Sequence, residues 1–437
     1  MVIHVVSPGE SVYSIALTYG VPMSQVVLDN GLERSARLAV GQALVIRFPR
    51  TVHTVRDGET VYSIARRHGL TLRQLYRNNP ILRGEPLIYP GQTLVIAYEE
   101  GEKLGALTVN GYAYPTLSPT RLSGLAPYLT FLTPFTYGFT AEGTLVDLDD
   151  AALIAGAHRG GAGAMMHLST LTPGGNFSNE LAHLLLNDPD LEDALLVQVI
   201  QTLAERGYQG LDVDFEYIYP QDAPAYAAFL GRLTQALNPL GYLVAAALAP
   251  KISADQKGTL YEGHSYPAIA AAVNRVLLMT YEWGYTYGPP MAVAPLSNVR
   301  QVVEYALTEM PAEKIWLGVP TYGYDWPLPF VKGQTSARSL SPVEATALAA
   351  DYGAEIQYDQ TAQAPWFRYT DRAGVVHEVW FEDARSIQAK LALTHQYGLD
   401  GVGYWSLMRP FPQNWLVLDA QYDIRPGPLG AGRASGI

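Results

Sequence analysis

Eight short apolar segments recur between residues 104 and 407, and most of the intervals between them have a helical pattern, such as "DLEDALLVQVIQTLAERG". Near-continuous apolar strands are typical of parallel sheets that are covered on both faces. Their regular alternation with helices predicts the α/β class and a (β/α)8 TIM barrel over residues 103–424. The predicted strands are 104–112, 129–139, 163–169, 210–217, 243–250, 275–283, 314–324 and 401–407.

The interval between the seventh and eighth strands is too long for a single helix, at about 76 residues. It contains "WFRYTDRAGVVHEVWFED", which reads as two strands joined by an Ala-Gly turn. We therefore predict an α+β insertion over residues 327–395, with Glu378 and Trp380 as candidates to face a cleft. The Pro/Gly-rich end, residues 425–437, is predicted to be a flexible tail.

The first hundred residues contain an internal duplication. "HVVSPGESVYSIA" (4–16) and "HTVRDGETVYSIA" (53–65) agree at 9 of 13 positions, and "VGQALVI" later returns as "PGQTLVI". In each copy a short strand, a turn, two helices and a closing strand follow one another. The sequence thus predicts two small βααβ modules, 1–48 and 51–98.

The fourth barrel strand carries three acids, in "GLDVDFEY". Asp212, Asp214 and Glu216 occupy every second position, so they share one face of the strand. Like charges brought together raise the pKa of at least one carboxyl group. Active sites of such barrels lie at the carboxyl ends of the strands, which places Glu216 nearest a substrate. The three acids are therefore candidate catalytic residues.

Composition excludes several kinds of site. The chain has no cysteine, so disulfides, thiolate metal sites and cysteine nucleophiles are absent. Residues 1–102 hold 10 basic and 9 acidic residues, while the remainder holds 19 and 32. An acidic barrel argues against a nucleic-acid partner. No apolar stretch approaches the ~20 residues of a membrane span, and the N-terminus lacks the features of a signal peptide.

The barrel motifs resemble glycoside hydrolase family 18. "QGLDVDFE" is similar to the family signature D-G-x-D-x-D-x-E, with Gln209 where Asp is common. "MTYEWG" (279–284) resembles the sixth-strand Met-x-Tyr motif, with Glu282 where Asp is usual. "GVPTYG" (318–323) and "YW" (404–405) match the seventh and eighth strands. The resemblance covers residues 103–423.

This resemblance implies a substrate-assisted retaining glycosidase that needs no metal or cofactor. Glu216 would be the acid and base, Asp214 would stabilise the acetamido N–H, Asp212 would modulate the charge and Tyr281 would orient the acetamido oxygen. Substrate-binding residues would be Trp405, Met279, Glu282, Tyr322 and Tyr112. Tyr137 and Tyr324 also stand at strand ends, whereas the lone His167 is more often structural in such a position.

The duplicated modules resemble LysM, a binder of N-acetylglucosamine-containing glycans, through "PGESVYSIA…PGQTLVI". The resemblance places glycan between two loops of each module. The residues concerned are Gly9, Glu10, Ser11 and Asn30 in the first copy, and Gly58, Glu59, Thr60 and Asn79 in the second. Alternatively, these residues serve only as turn and cap chemistry.

Together the two resemblances predict an N-acetylglucosaminidase that LysM modules hold on peptidoglycan, similar to the glycosidases of bacterial spore germination. Its expected location is the spore coat, the cortex or the cell wall, reached without a signal peptide. A chitinase and a non-hydrolytic glycan-binding coat protein are the alternatives. The motifs do not separate exo from endo cleavage, cortex from chitin, or one oligomeric state from another.

Overall fold

The computed structural model describes residues 1–32, 37–99, 101–172 and 175–428. Its first hundred residues form two small modules, as predicted. Module 1 contains β1 (Val2–Val5), α1 (Val12–Tyr19), α2 (Met23–Asp29) and β2 (Ala43–Ile46). Module 2 contains β3 (Pro49–Thr54), α3 (Val61–Arg67), α4 (Leu72–Asn78) and β4 (Thr93–Tyr98). In each module the two strands pair antiparallel.

The larger part of the chain is a closed barrel of eight parallel strands, each near its predicted position. Strand order follows the chain, and the last strand pairs with the first. The strands are β5 (Ala106–Ala113), β6 (Phe131–Pro134), β9 (Gly163–Ser169), β10 (Gly210–Asp214), β11 (Leu243–Leu248), β12 (Arg275–Leu278), β13 (Ile315–Pro320) and β19 (Gly401–Trp405). The predicted fold class is confirmed.

Helices surround the barrel and bury the large outer core. They are α5 (Pro119–Leu125), α6 (Ala151–Arg159), α7 (Asn179–Leu186), α8 (Pro189–Arg206), α9 (Ala223–Leu237), α10 (Tyr266–Ala272), α11 (Leu296–Glu309), α13 (Ala384–Gln396) and α14 (Pro412–Gln421). The short strands β7 (Gly138–Phe139) and β8 (Leu145–Val146) form a separate hairpin. A second cluster fills the barrel interior: Tyr112, Phe131, Met165, Ala245, Ala247, Leu277, Met279 and Trp316.

The insertion is a five-stranded antiparallel sheet with one helix. Its elements are β14 (Gly323–Pro327), β15 (Arg338–Leu340), α12 (Pro342–Tyr352), β16 (Gln357–Asp359), β17 (Ala364–Thr370) and β18 (Val376–Trp380). The predicted bounds of 327–395 were wrong at both ends. Gly323–Pro327 pairs with β15 and β18. At the other end, Ile387 and Leu391 of α13 are buried in the barrel core, so α13 is a barrel helix.

The predicted flexible tail is also corrected at its start. Strand β20 (Asp423–Ile424) pairs with the beginning of β5. Beyond it, the Arg425 guanidinium donates to the carboxylate of Asp400 at 2.5 Å and to the hydroxyl of Thr108 at 2.8 Å. These bonds hold the chain under the barrel, while residues 429–437 of the predicted tail lie outside the described residues.

Module 2 is joined to the barrel by a half-buried arginine. The Arg73 side chain donates to the carbonyls of Pro127, Leu129 and Gly161 at distances of 2.7–3.3 Å. The next turn of α4 contributes Arg77, whose Nε donates to Asp419 at 2.6 Å. Module 2 therefore has a set position on the barrel. None of the helices in the described ranges is long and apolar enough to cross a bilayer.

Candidate active site

The three predicted acids lie together at the mouth of the barrel. Asp212 and Asp214 are on β10, and Glu216 follows two residues after the strand ends. On the neighbouring strands, His167 and Ala245 lie beside Asp212, and Ser169 lies beside Asp214. The small side chain of Ala245 leaves room for the carboxylates inside the barrel. Gln209, the departure from the family motif, lies at the strand entry, where it accepts from the Ala164 amide at 2.6 Å.

Asp212 is the deepest of the three acids and is fully buried. The Tyr112 hydroxyl donates to one carboxylate oxygen at 2.6 Å, while the other oxygen has no partner. Burial raises the pKa of Asp212 to about 6, against the lowering effect of the Tyr112 bond. Tyr112, predicted to contact sugar, is itself 2% exposed and is bonded to Asp212.

Asp214 is buried with almost no stabilising contact. One oxygen has no hydrogen-bond partner, and the other lies 3.7 Å from Nε2 of His167. Burial lowers the pKa of His167 to about 3, so the imidazole is neutral at physiological pH and supplies no positive charge. Burial, then the charges of Glu216 and Asp212, raise the pKa of Asp214 well above its ordinary value. Such a carboxyl group can accept a bond from a substrate N–H.

Glu216 is half-buried and lies nearest the solvent. Burial, followed by the negative charge of Glu282, raises its pKa to about 7. A carboxylic acid with this pKa is partly protonated at neutral pH, so it can donate a proton and later accept one. The sequence predicted Glu216 as the acid, but it did not predict that the charge of Glu282 raises the pKa of Glu216.

Glu282 stands on the loop after β12 in a left-handed backbone conformation, with φ 66°. The hydroxyl of Tyr322 donates to its carboxylate, and so does that of Tyr324, at 3.0 Å. The sequence motif marked Glu282 only as a substitution for Asp. Because Tyr324 belongs to the insertion sheet, the insertion contacts the acid that faces Glu216.

Trp405 forms an aromatic corner at the end of β19. Its ring lies 4.9 Å from that of Phe135, 5.8 Å from Tyr112 and 6.0 Å from Tyr114, centroid to centroid. Tyr114 is 40% exposed. Phe135 and Tyr114 were not singled out from the sequence, although each directly follows a barrel strand of the structure, β6 and β5 respectively.

Tyr281 joins the barrel interior to the insertion. It packs on the interior cluster that contains Met279, and also on the cluster of Tyr322, Tyr324 and Trp326. Its pKa is raised well above the ordinary value, first by burial and then by the charge of Asp214. The phenol therefore stays protonated beside the acids and is able to donate a hydrogen bond.

Two weaker candidates have other roles. Tyr137 is fully buried and donates to Asp150, below the site. Glu378 is buried, accepting from Arg368 at 2.8 Å and from the Trp380 indole at 2.8 Å. Trp380 itself packs on the cluster beside the cleft. Tyr137 and Glu378 are therefore structural.

Two predicted LysM contacts are contradicted, those of Asn30 and Asn79. Both side chains are buried. The Asn30 amide is bonded to the backbone of Val26 and Val45, and the Asn79 amide to that of Leu75 and Val95. With all their polar atoms used internally, they fix the loop after the second helix of each module.

The first-loop residues are exposed to a greater extent, and some also have structural bonds. Ser11 and Thr60 cap α1 and α3, each in a reciprocal capping box with the serine three residues on. Glu10 accepts from His4 at 2.8 Å, and Glu59 accepts from His53 at 2.7 Å.

The two loop glycines, Gly9 and Gly58, adopt left-handed conformations with open space beside them. A glycan contact at these first-loop positions stays a prediction.

No cluster of potential metal ligands occurs among the described residues.

The chain belongs to the glycosyl hydrolases family 18, whose profile matches residues 168–409, and the LysM domain profile matches residues 4–47 and 53–97. It is 47% identical to the cortical fragment-lytic enzyme of Bacillus subtilis (strain 168) over 68% of this chain and 69% of that protein. It is 40% identical to the enzyme of that name from Bacillus anthracis over 96% and 98%. The crystal structure of the Bacillus cereus spore cortex-lytic enzyme SleL superposes with a TM-score of 0.83 and 37% identity, covering 97% of this chain and 98% of that one.

Proposed function

We propose that this enzyme hydrolyses the β-1,4 bond after N-acetylglucosamine in peptidoglycan, with retention of configuration. The observation that carries the proposal is the pair formed by Asp214 and Glu216. One is a buried carboxyl group with an unpartnered oxygen, and the other is a half-buried acid with a pKa of about 7. This combination suits a reaction in which the substrate's own acetamido group is the nucleophile.

In the first step the acetamido oxygen attacks the anomeric carbon of its own sugar. The bond to the leaving oxygen breaks, and Glu216 transfers its proton to that oxygen. The product is a cyclic oxazolinium ion, whose N–H donates to Asp214. Tyr281, held protonated beside the acids, donates to the acetamido oxygen and orients it.

In the second step a water molecule attacks the anomeric carbon from the side that the leaving group vacated. Glu216, now ionised, takes the proton from that water, and the oxazolinium ring reopens to the acetamido group. Each face of the carbon is used once in attack and once in departure, so configuration is retained. Asp212, held by Tyr112 at 2.6 Å, keeps a second carboxyl group near Asp214 and helps to maintain its raised pKa.

Binding of the sugar is assigned to the aromatic corner. Trp405 offers an apolar face to the pyranose ring, and Tyr114 extends the same surface toward solvent. Met279 lies in the interior cluster against which Trp405 packs. Tyr322, in a cluster on which Trp405 also packs, donates a hydrogen bond to Glu282, and these two residues are proposed to contact the sugar as well.

Spore cortex or its fragments are the proposed substrate. The similarity to proteins named cortical fragment-lytic enzyme, over almost the whole chain in one case, supports this choice. The mechanism imposes a further condition, because the attacking group must be an N-acetyl group. A muramic lactam, whose nitrogen is cyclised, cannot assist, so cleavage is expected after N-acetylglucosamine. The two LysM modules are proposed to hold the enzyme on this polymer, in the spore or at the cell wall.

The test uses the full-length enzyme and its Glu216→Gln variant on cortex muropeptides and on chitin oligosaccharides, with products identified by mass spectrometry. Release of fragments that end in reducing N-acetylglucosamine from cortex, lost in the variant, is the expected result. Cleavage of chitin alone would make the enzyme a chitinase. If both proteins bind glycan and neither cuts it, the barrel is a binding domain.

A further inference from the structure

The two LysM modules differ in the loop residues that precede their closing strand, 39–41 in module 1 and 89–91 in module 2. In module 1 this loop includes Ala39, which is 3% exposed and is part of the hydrophobic core of the insertion. The corresponding residue of module 2 is Tyr89, which is 61% exposed. Ala39 is thus buried in the insertion, whereas its counterpart Tyr89 is exposed to solvent.

Backbone contacts give the same contrast. The amide of Ile356, in the insertion, donates to the carbonyl of Val40 at 2.8 Å, and Arg385 donates to the carbonyl of Gly41 at 3.2 Å. A Cβ placed on Gly41 would lie 1.9 Å from the Ile356 carbonyl oxygen. A Cβ on Gly91, its counterpart in module 2, would meet nothing within 4 Å.

Module 1 is also bound to the barrel beside the insertion. Gln413 of α14 donates to Asn30 Oδ1 and to the carbonyl of Ala43, both at 2.8 Å. The cavity left where module 1, the insertion and the barrel meet is only about 10 Å³, room for at most one water molecule. Module 1 is therefore closely packed on its insertion side, while a wider cavity of about 710 Å³ lies between its Leu28 and Asp29, module 2 and α5.

The insertion core that receives Ala39 is connected to the catalytic mouth. Phe381 lies in that core with Ala39, and it packs against Gly323 so closely that a Cβ on the glycine would lie 2.5 Å from it. The next residue along β14, Tyr324, pairs with Trp380 and donates to Glu282 at 3.0 Å. Glu282 in turn acts on Glu216 through its charge.

We propose that module 1 is a positioning element of the catalytic cleft, whose loop at residues 39–41 completes the insertion core and so holds Tyr324 against Glu282. Module 2, whose corresponding loop is free, has no such role. The consequence for turnover holds only if the barrel is the glycosidase proposed above, whereas the docking itself does not depend on that activity.

The test compares Gly41→Ala with Gly91→Ala in the full-length protein. Both glycines have φ above 80°, so alanine brings a similar backbone strain to each module. Only Gly41→Ala also drives a methyl group into the insertion. Hydrogen exchange followed by mass spectrometry should show faster exchange at Ile356 in Gly41→Ala alone, with β2 still protected as a sign that module 1 remains folded.

Kinetics on soluble chitin oligosaccharides supply a second readout. In Gly41→Ala we expect kcat to fall about tenfold, because a catalytic group is displaced by a fraction of an ångström. The alkaline limb of kcat/KM should also move to lower pH, as Glu282 moves away from Glu216. Gly91→Ala should keep both kcat and the pH profile of the parent.

A second matched pair covers the case in which Gly41→Ala unfolds module 1. Ala39→Asp places a charge in the insertion core, whereas Tyr89→Asp places the same charge in solvent. Faster exchange at Ile356 in Ala39→Asp and not in Tyr89→Asp supports the proposal. Unchanged exchange at Ile356 and an unchanged pH profile in both module 1 variants would overturn it. If the parent enzyme cuts no glycan, the proposed function fails, and the exchange data still decide the docking.

Discussion

Two buried aspartates in the barrel domain show opposite chemistry. Asp150, between the barrel and its helices, accepts from the hydroxyls of Tyr137 and Tyr208 and from Arg206, the last at 2.7 Å. Asp214, at the mouth, has an oxygen without any partner and a neutral histidine 3.7 Å from the other. Both are at most 5% exposed. A buried carboxylate with all its bonds made supports the fold, while one left without bonds is available to a substrate.

The largest expected effect comes from Asp214→Asn. The neutral amide cannot stabilise a positive oxazolinium ion, so we expect kcat on cortex fragments to fall by about 10²–10³, the usual loss when one electrostatic contact to a transition state is removed. Steady-state kinetics on purified muropeptides would measure it. Retention of more than a tenth of the parent rate would show that Asp214 does not contact the reacting sugar.

The same variant should be more stable than the parent at neutral and alkaline pH. The native pKa of Asp214 is raised, so the native state binds more protons than the unfolded state, and stability falls as pH rises through that window. Asn carries no charge, so Asp214→Asn avoids this loss, and its free energy of unfolding should exceed that of the parent by about 2 kcal/mol. Urea unfolding at pH 4 and pH 8 would test it, since the variant should exceed the parent only at pH 8.

Asp150→Asn is the matched substitution in the other region, and its effects should have the opposite pattern. Removing the charge of Asp150 leaves Arg206, whose side chain is 31% exposed, with only the exposed Asp147 as counter-charge, and costs about 1–3 kcal/mol. Urea unfolding should show this loss at pH 8, while kcat at 25 °C stays that of the parent. If Asp150→Asn unfolded at the same urea concentration as the parent, the hydrogen bonds of Asp150 would not contribute to stability, and the contrast drawn with Asp214 would fail.

The pH dependence of the parent enzyme tests the raised pKa of Glu216 directly. Because the pKa of Glu216 is about 7, the acid form needed for the first step is lost as pH rises through that value. We expect kcat/KM to fall about tenfold per pH unit well above pH 7. An alkaline limb near pH 4.5, the ordinary value for glutamic acid, would contradict the raised pKa.

The smallest expected effect is that of Glu282→Gln. Removing this negative charge makes ionisation of Glu216 easier, so its pKa falls and the alkaline limb moves to lower pH. Glutamine can still accept from Tyr322 and Tyr324, so the loop conformation should be kept. Comparison of the two kcat/KM profiles measures the shift, and identical profiles would remove Glu282 from the account of Glu216.

Much of the fold was predictable because its signals are local. The eight apolar strands, the repeated modules and the alternation of Asp212, Asp214 and Glu216 all depend on spacing within a short stretch. The bounds of the insertion were not predictable, since Gly323–Pro327 could continue the seventh strand or pair with a strand more than fifty residues later. Only the observed pairing with β18 assigns these residues to the insertion.

Some site residues were missed in the sequence for the same reason, namely that their contacts are not local in the chain. Phe135, Tyr114 and the bonds of Tyr324 reach the site through contacts between strands far apart in the chain. Asn30 and Asn79 were assigned to glycan because the LysM resemblance places the sugar at the loop after the second helix, but their amides are bonded to the backbone of the closing strand. A polar residue beside a turn satisfies the backbone first, and sequence spacing alone does not reveal which use prevails.

The guanidinium of Arg73, bonded to three barrel carbonyls, has a consequence for how a polymer is cut. A module on a loose linker would only raise the local concentration of substrate. A module that cannot turn relative to the barrel holds a strand at one distance and in one direction from Glu216. A glycan chain of the opposite polarity could occupy either module 2 or the cleft, but not both at once. The enzyme would therefore distinguish the two ends of a glycan chain before any bond is broken.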